Sequence, residues 1–274
     1  GKKPIQQRSS YGLGEVIKAA LDNHTEHLVI SLGGIGSFDG GAGMLQALGA
    51  TFYDDEAQIV DMRKGADLIK YIRRIDLSGV HPQLAKVNIQ LMSDFSSRLY
   101  GKKSEIMQTY ESLELSQNEA AEIDNLIWYF SELFKNELKI AMGPIERGGA
   151  GGGIAAVLNS LYQAEILTSH ELVNQITHLE NLIQQADLII FGEGLKEEDQ
   201  ILETTTIRIA ELTQQYNKPA IAICATNDKF DLFESLNVTA MFNTFIDMPD
   251  SYTDFKMGIQ IRHYTCLLYT SPSP

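Results

Sequence analysis

Two periods of apolar spacing run along this chain, and the switches between them mark its elements. Leu28, Val29, Ile30, Ser31 and Leu32 are a short run of apolar or small residues, the pattern of a buried strand. Met44, Leu45, Ala47 and Leu48 then recur at helical spacing. Between them lie Gly33, Gly34, Gly36, Gly40, Gly41 and Gly43 around a single acid, Asp39. Upstream, Val16, Ile17, Ala20 and Leu21 predict a helix over 15–21. Downstream the pattern predicts a strand over 51–53, a helix over 66–72 and a strand over 87–92 that ends at Ser93-Asp94. Ser116 and Glu119 have the spacing of a capping box. The helix behind them carries Ile123, Leu126, Ile127, Phe130, Leu133, Phe134 and Leu138 on one stripe, which reads as core or interdomain packing. Met142-Gly143-Pro144 stops it.

The run Arg147 to Gly153, RGGAGGG, leads into a predicted helix over 154–161. A helix over 169–185 has Leu172, Val173, Ile176, Leu179, Leu182 and Ile183 on one face. From Asp187 the rhythm changes to a strand over 188–191, a Gly192-Glu193-Gly194 loop, a helix over 203–216 and a strand over 220–224. A short helix over 230–236, a strand over 240–245 and a last helix over 254–264 follow. Such alternation predicts a parallel sheet with right-handed crossovers. The change of pattern near Ala186 predicts a domain boundary there, with residues 1–185 and 186–264 as the two parts. The end, CLLYTSPSP over 265–274, has no structural pattern and reads as a non-native tail.

Composition narrows the class. The chain has 274 residues, 44% of them hydrophobic, enough for one large or two smaller cores. A net charge of −14 offers no basic footprint for nucleic acid or an anionic membrane. No apolar run approaches the length of a membrane-spanning helix. The two cysteines, Cys224 and Cys266, have no metal-ligand spacing, and Cys224 lies in the apolar run AIAIC. These features predict a cytoplasmic protein.

The candidate chemistry lies where glycine-rich loops meet carboxylates. Glycines between a strand and a helix admit φ > 0 and let a ligand approach bare backbone. The helix start behind them offers unpaired N–H groups and a positive dipole end, suited to an anion. The loops at Gly33–Gly43 and Gly149–Gly153 are therefore either anion seats or tight packing turns. Asp94 follows a strand's carboxyl end, where open α/β sheets place ligand contacts and where turn aspartates also occur. No P-loop, dinucleotide fingerprint, nucleophile elbow or paired-histidine zinc motif is present. The acids Asp39, Asp94 and Glu193, with Glu197, Glu198 and Asp199 beyond, suit phosphoryl transfer, in which backbone N–H groups hold phosphates and an acid holds Mg²⁺ or orients a hydroxyl.

In this order and spacing, SSYGLGEVI, LGGIGSFDGGAGMLQALGA, the ID-x-S-G-x-x-P-x-L pattern over 75–84, Ser93-Asp94, RGGAGGG and ADLIIFGEG resemble the bacterial type I glycerate kinases. The resemblance covers most of residues 4–245. It implies a two-lobed fold: an inserted glycine-rich α/β lobe, here 1–185, and the C-terminal half of a Rossmann-like parallel-sheet lobe, here 186–264. It also implies that the N-terminal half of that lobe is missing, and a site in the cleft between lobes. The implied activity is ATP- and Mg²⁺-dependent phosphorylation of D-glycerate, usually to 2-phosphoglycerate. On this pattern Asp39, Asp94 and Glu197 are the catalytic candidates. Gly34, Ser37, Gly40, Gly41, Gly149, Gly151, Gly152, Gly192, Glu193 and Gly194 are the substrate- or nucleotide-binding candidates, and no metal ligand set is assigned.

The chain also departs from the family pattern. Ile35 and Ser37 stand where the first loop has serine and threonine, and Ser96-Ser97-Arg98 follows Ser93-Asp94-Phe95 where an Asn-Pro is expected. MQTYESLEL replaces a V-F-G-P-Q-K-G stretch. Leu195, Glu197 and Thr204 take the places of an arginine, an aspartate and a lysine. Each lost charge-assisted contact to a phosphate is worth about 1.5–3 kcal/mol. The alternative reading is accordingly a divergent member that binds a small carboxylate or nucleotide without turnover.

Overall fold

The computed structural model describes residues 4–193, 205–224 and 230–243. The chain forms two compact α/β units, Gly1–Leu167 and Thr168–Pro274.

In the first unit α1 (Tyr11–Asp22) leads to β1 (His27–Ser31), α2 (Ala42–Ala47) and β2 (Thr51–Tyr53). Then come β3 (Arg74–Asp76), β4 (Asn88–Met92), α3 (Glu105–Thr109), α4 (Gln117–Leu133), α5 (Ile154–Tyr162) and β5 (Glu165–Leu167). Strands β1, β4 and β5 make a parallel sheet in the order β1-β4-β5, with Ile30 opposite Leu91 and Leu91 opposite Ile166. Strands β2 and β3 pair antiparallel as a separate ribbon.

The capping box at Ser116 and Glu119 forms, and α4 buries Ile123, Ile127 and Phe130. Phe130 meets Phe52 and Phe134 edge to face at ring-centroid distances of 5.8 and 5.0 Å, a geometry that sets the electropositive ring edge against a ring face. Trp128, beside that stripe in sequence, is 47% exposed. Residues Ala66–Tyr71 wind as a 3-10 helix, and α1 starts earlier than its apolar face alone indicates.

In the second unit α6 (Ser169–Thr177), α7 (Leu179–Gln185) and α8 (Thr205–Gln215) accompany β6 (Ile189–Glu193), β7 (Ala220–Cys224) and β8 (Ala240–Asn243), with α9 (Phe230–Ser235) before β8. The sheet is parallel in the order β6-β7-β8. Its core packs Phe191, Ala210, Ala220, Ala222, Cys224 and Phe233.

Two features differ from the sequence pattern. The units divide at Leu167/Thr168 rather than near Ala186, because α6 and α7 pack against α8 and so belong with the second sheet. The apolar stripe over 169–185 is also two helices, since His178 adopts a left-handed φ of 52° and turns the chain. The expected helix over 254–264 and the tail lie outside the described residues. Among the described residues no helix is long and apolar enough to cross a membrane.

Candidate functional site

Asp39 is completely buried, which is tolerable for a carboxylate only if its oxygens are bonded. The start of α1 and the start of α2 supply the donors. Ser10 N–H and Ser10 Oγ reach Oδ2 at 2.8 and 2.9 Å, Ser9 Oγ reaches it at 3.3 Å, and Gly43 N–H at 3.2 Å. Gly41 N–H donates to Oδ1 at 3.1 Å. Burial pushes the carboxyl's pKa up, while the bonds from Ser10, Gly43 and Gly41 pull it down. Two helix starts thus converge on one internal carboxyl group. Gly41 is the N-cap of α2 with φ 78°, a backbone state that a side chain would strain.

The two glycine runs, which the sequence leaves as separate seats, lock against each other. Gly40 N–H donates to the Gly152 carbonyl at 2.9 Å. A Cβ on Gly152, whose φ is 63°, would overlap the Ser37 carbonyl oxygen, and one on Gly153 would press on the Gly40 backbone. Ser37, Gly40, Gly41, Gly149, Gly151 and Gly152 are all buried. The amides at Gly152 and Gly151 already hold an anion: Glu105, the first residue of α3, accepts from Gly152 N–H at 3.1 Å. Burial raises the pKa of Glu105 to about 7, and the two glycine N–H groups oppose that rise. Glu105 escapes sequence reading because it is far from the glycine run and belongs to no motif. Its only signal is an acid directly after a helix-capping serine, Ser104.

What faces solvent is the carboxyl edge of the first sheet. The ladder continues past β1 and β4, with Leu32 N–H on the Met92 carbonyl and Ser93 N–H on the Leu167 carbonyl. The loops that leave these neighbouring strands therefore start side by side. Gly33 and Gly34 are exposed, and a Cβ on either would meet open space. Asp94 is exposed at the head of the other loop.

A guanidinium anchors to each loop. Arg8 Nη1 donates to the Gly36 carbonyl at 3.4 Å, and Arg147 Nη1 to the Ser93 carbonyl at 3.0 Å. Arg147 opens the RGGAGGG run whereas Arg8 belongs to no motif, and the fold alone brings both to these loops. Asp94 and Gly34 therefore share one exposed edge, while Asp39 lies in the interior beneath it.

In the second unit β6 ends at Gly192-Glu193, with Gly192 exposed and Glu193 paired in register with Cys224. Gly194 and Glu197 lie outside the described residues. Among the described residues no three His, Cys, Asp or Glu side chains gather as a metal site.

The carboxyl ends of parallel strands are where open α/β sheets place their ligand contacts, and exposed glycine and acid loops lie there in this chain. The sequence model of the glycerate kinase family matches residues 1–256, and the chain belongs to that family. It is 31% identical over 218 residues to the glycerate kinase of Halalkalibacterium halodurans, covering 80% of this chain and 57% of that protein. It is 29% identical over 236 residues to the glycerate 2-kinase of Escherichia coli K12, covering 86% of this chain and 61% of that one. A crystal structure from Salmonella typhimurium LT2, described as a glycerate kinase 2, superposes with a TM-score of 0.76 at 27% identity. That match covers 98% of this chain and 71% of the other. The chain thus spans about three-fifths of the length of these two curated relatives.

Proposed function

We propose that this chain is part of a glycerate kinase that transfers the terminal phosphoryl group of ATP to a hydroxyl of D-glycerate, giving 2-phosphoglycerate. One observation carries the reading: the exposed Gly33-Gly34 loop and exposed Asp94 start side by side at the carboxyl edge of β1 and β4, each loop bearing a guanidinium. Phosphoryl transfer is catalysed mostly by positioning and charge stabilisation, so it needs backbone donors, cations and one acid close together. In this reading Gly34 gives a ligand oxygen close approach to backbone. Arg8 and Arg147 supply positive charge. Asp94 accepts the proton of the attacking substrate hydroxyl or orients it.

Mg²⁺ accompanying ATP needs only one or two protein carboxylates beside phosphate and water oxygens. An exposed Asp94 fits that requirement without a three-acid cluster. The ion would neutralise charge on the transferring phosphates. Asp39 acts through Gly41 and Gly43 as a positioning residue that fixes the glycine loop. Gly40 and Gly152 hold the two runs together with the Ser37 carbonyl packed on Gly152, while Gly149 joins its run to the Ser97 loop and Gly151 packs on Leu32. In this reading Gly192, Glu193 and Gly194 bind substrate or nucleotide and Glu197 is catalytic. The partners are D-glycerate and ATP, with no nucleic acid or membrane, and the setting is cytoplasmic.

A specific observation supports the second reading, a family member that binds a small carboxylate or nucleotide without turnover. The Glu105 carboxylate takes the Gly152 amide that a ligand oxygen would otherwise use. Measuring ADP release from ATP and Mg²⁺, with and without D-glycerate, separates the two. Glycerate-dependent release supports the kinase, whereas D-glycerate binding without release supports the binder.

A further inference from the structure

We propose that the Ser97 hydroxyl is a substrate-binding donor, held for a carboxylate oxygen of a small hydroxy acid. This assignment rests on the glycerate kinase reading above. Ser97 is 2% exposed, and its Oγ is the one buried side-chain polar atom among the described residues with no hydrogen-bond partner. Such atoms are uncommon because burial removes water without replacing its bond.

The segment around Ser97 is fixed, so movement of the loop does not explain the orphan. The Ser97 carbonyl accepts from Gly149 N–H at 3.2 Å, and Arg98 N–H donates to the Lys103 carbonyl at 2.8 Å. At the other end Arg147 Nη1 holds the Ser93 carbonyl. Gly149 is glycine partly on account of this hydroxyl, since a Cβ there would lie 2.7 Å from Ser97 Oγ. A Cβ there would also overlap the Arg98 carbonyl oxygen, so the glycine lets its run pack closely against a hydroxyl that has nothing to bond. An alanine would fill the same site with no polar atom to satisfy, so a stability argument favours Ala over Ser.

Ligand binding is the argument that favours Ser. Ser97 lies on the loop that starts with Asp94, across from the glycine run. A serine side chain turns about one torsion with three staggered wells. The hydroxyl gives up no existing bond when it turns to an arriving oxygen. Its donor character, with the Arg147 guanidinium reaching across to the Ser93 carbonyl of the same loop, selects an anionic acceptor.

The test uses this chain and its Ser97→Ala variant, measured by calorimetric titration with D-glycerate and by thermal unfolding. Without ligand, S97A should melt at a higher temperature than the wild type. It should bind D-glycerate about tenfold more weakly, or about 1.4 kcal/mol. Binding within twofold of the wild type overturns the proposal, as does a lower melting temperature, which would show that the hydroxyl has a structural partner. If S97A instead loses affinity for inorganic phosphate and keeps it for D-glycerate, the carboxylate assignment is wrong. A wild-type chain that binds no D-glycerate sinks the kinase reading itself, and this proposal with it.

Discussion

The Ser10 hydroxyl donates to Oδ2 of Asp39 at 2.9 Å while accepting from the Met44 N–H at 2.9 Å. One serine thereby ties the start of α1, the buried acid and the first turn of α2 into a single chain of bonds. Gly14 lets the two helices pack closely, since a Cβ there would overlap the Met44 carbonyl oxygen. The most conspicuous acid of the glycine loop is thus part of the fold's interior frame.

Substituting Asp39 should therefore unfold the protein before it informs on chemistry. Asp39→Asn turns an acceptor into a group with two N–H donors, which face the N–H and O–H donors of Ser10, Gly41 and Gly43. The expected loss is at least about 2 kcal/mol, the cost of unsatisfied buried polar groups. Urea unfolding followed by circular dichroism measures it. A loss under half that figure would show that the network tolerates an amide.

Glu105 should give stability a pH signature. Its pKa is raised to about 7 in the folded chain from an ordinary 4.5. The folded state therefore favours the protonated form. The associated stability is fully present below pH 4.5 and is lost as pH rises through about 7. In Glu105→Gln this dependence should vanish. The unfolding free energy of the wild type minus that of E105Q should accordingly fall between pH 4.5 and 7. A flat difference over that window would mean that the bonds from the glycine run offset the burial of the carboxylate.

Paired glycine substitutions should separate packing from access. Gly152→Ala forces a left-handed φ on alanine and drives its Cβ into the Ser37 carbonyl, so destabilisation should exceed the roughly 1–2 kcal/mol of the φ cost alone. Gly33→Ala meets open space and should change stability by under about 0.5 kcal/mol. Melting temperatures of the two variants give the comparison. Equal shifts would contradict the interlocked arrangement of the two runs.

Asp94 is the acid whose loss should affect activity while sparing the fold. It is exposed, so Asp94→Asn should change stability by less than about 1 kcal/mol. On the proposed role, glycerate-dependent ADP release should fall by about 100-fold or more, the usual scale for a positioned acid or base. Unchanged release with an unchanged fold would remove Asp94 from the mechanism.

The sequence by itself determined the α/β class, most element positions, the capping box at Ser116 and Glu119, and the family. These depend on local spacing: apolar period, a hydroxyl three residues before an acid, and glycines bunched between a strand and a helix. It did not reveal that the two glycine runs bind each other, because Gly40 and Gly152 are far apart in the chain and a glycine carries no mark of its neighbour. Nor could it separate Asp39 from Asp94. Both follow a strand and sit beside small residues, and only packing buries one and exposes the other. Arg8 and Glu105 belong to no motif, Arg147 marks only the start of a glycine run, and the tertiary structure alone sets all three on the loops. Spacing along a chain fixes which faces are apolar, but long-range backbone approach decides which polar groups meet and which are left to meet a ligand.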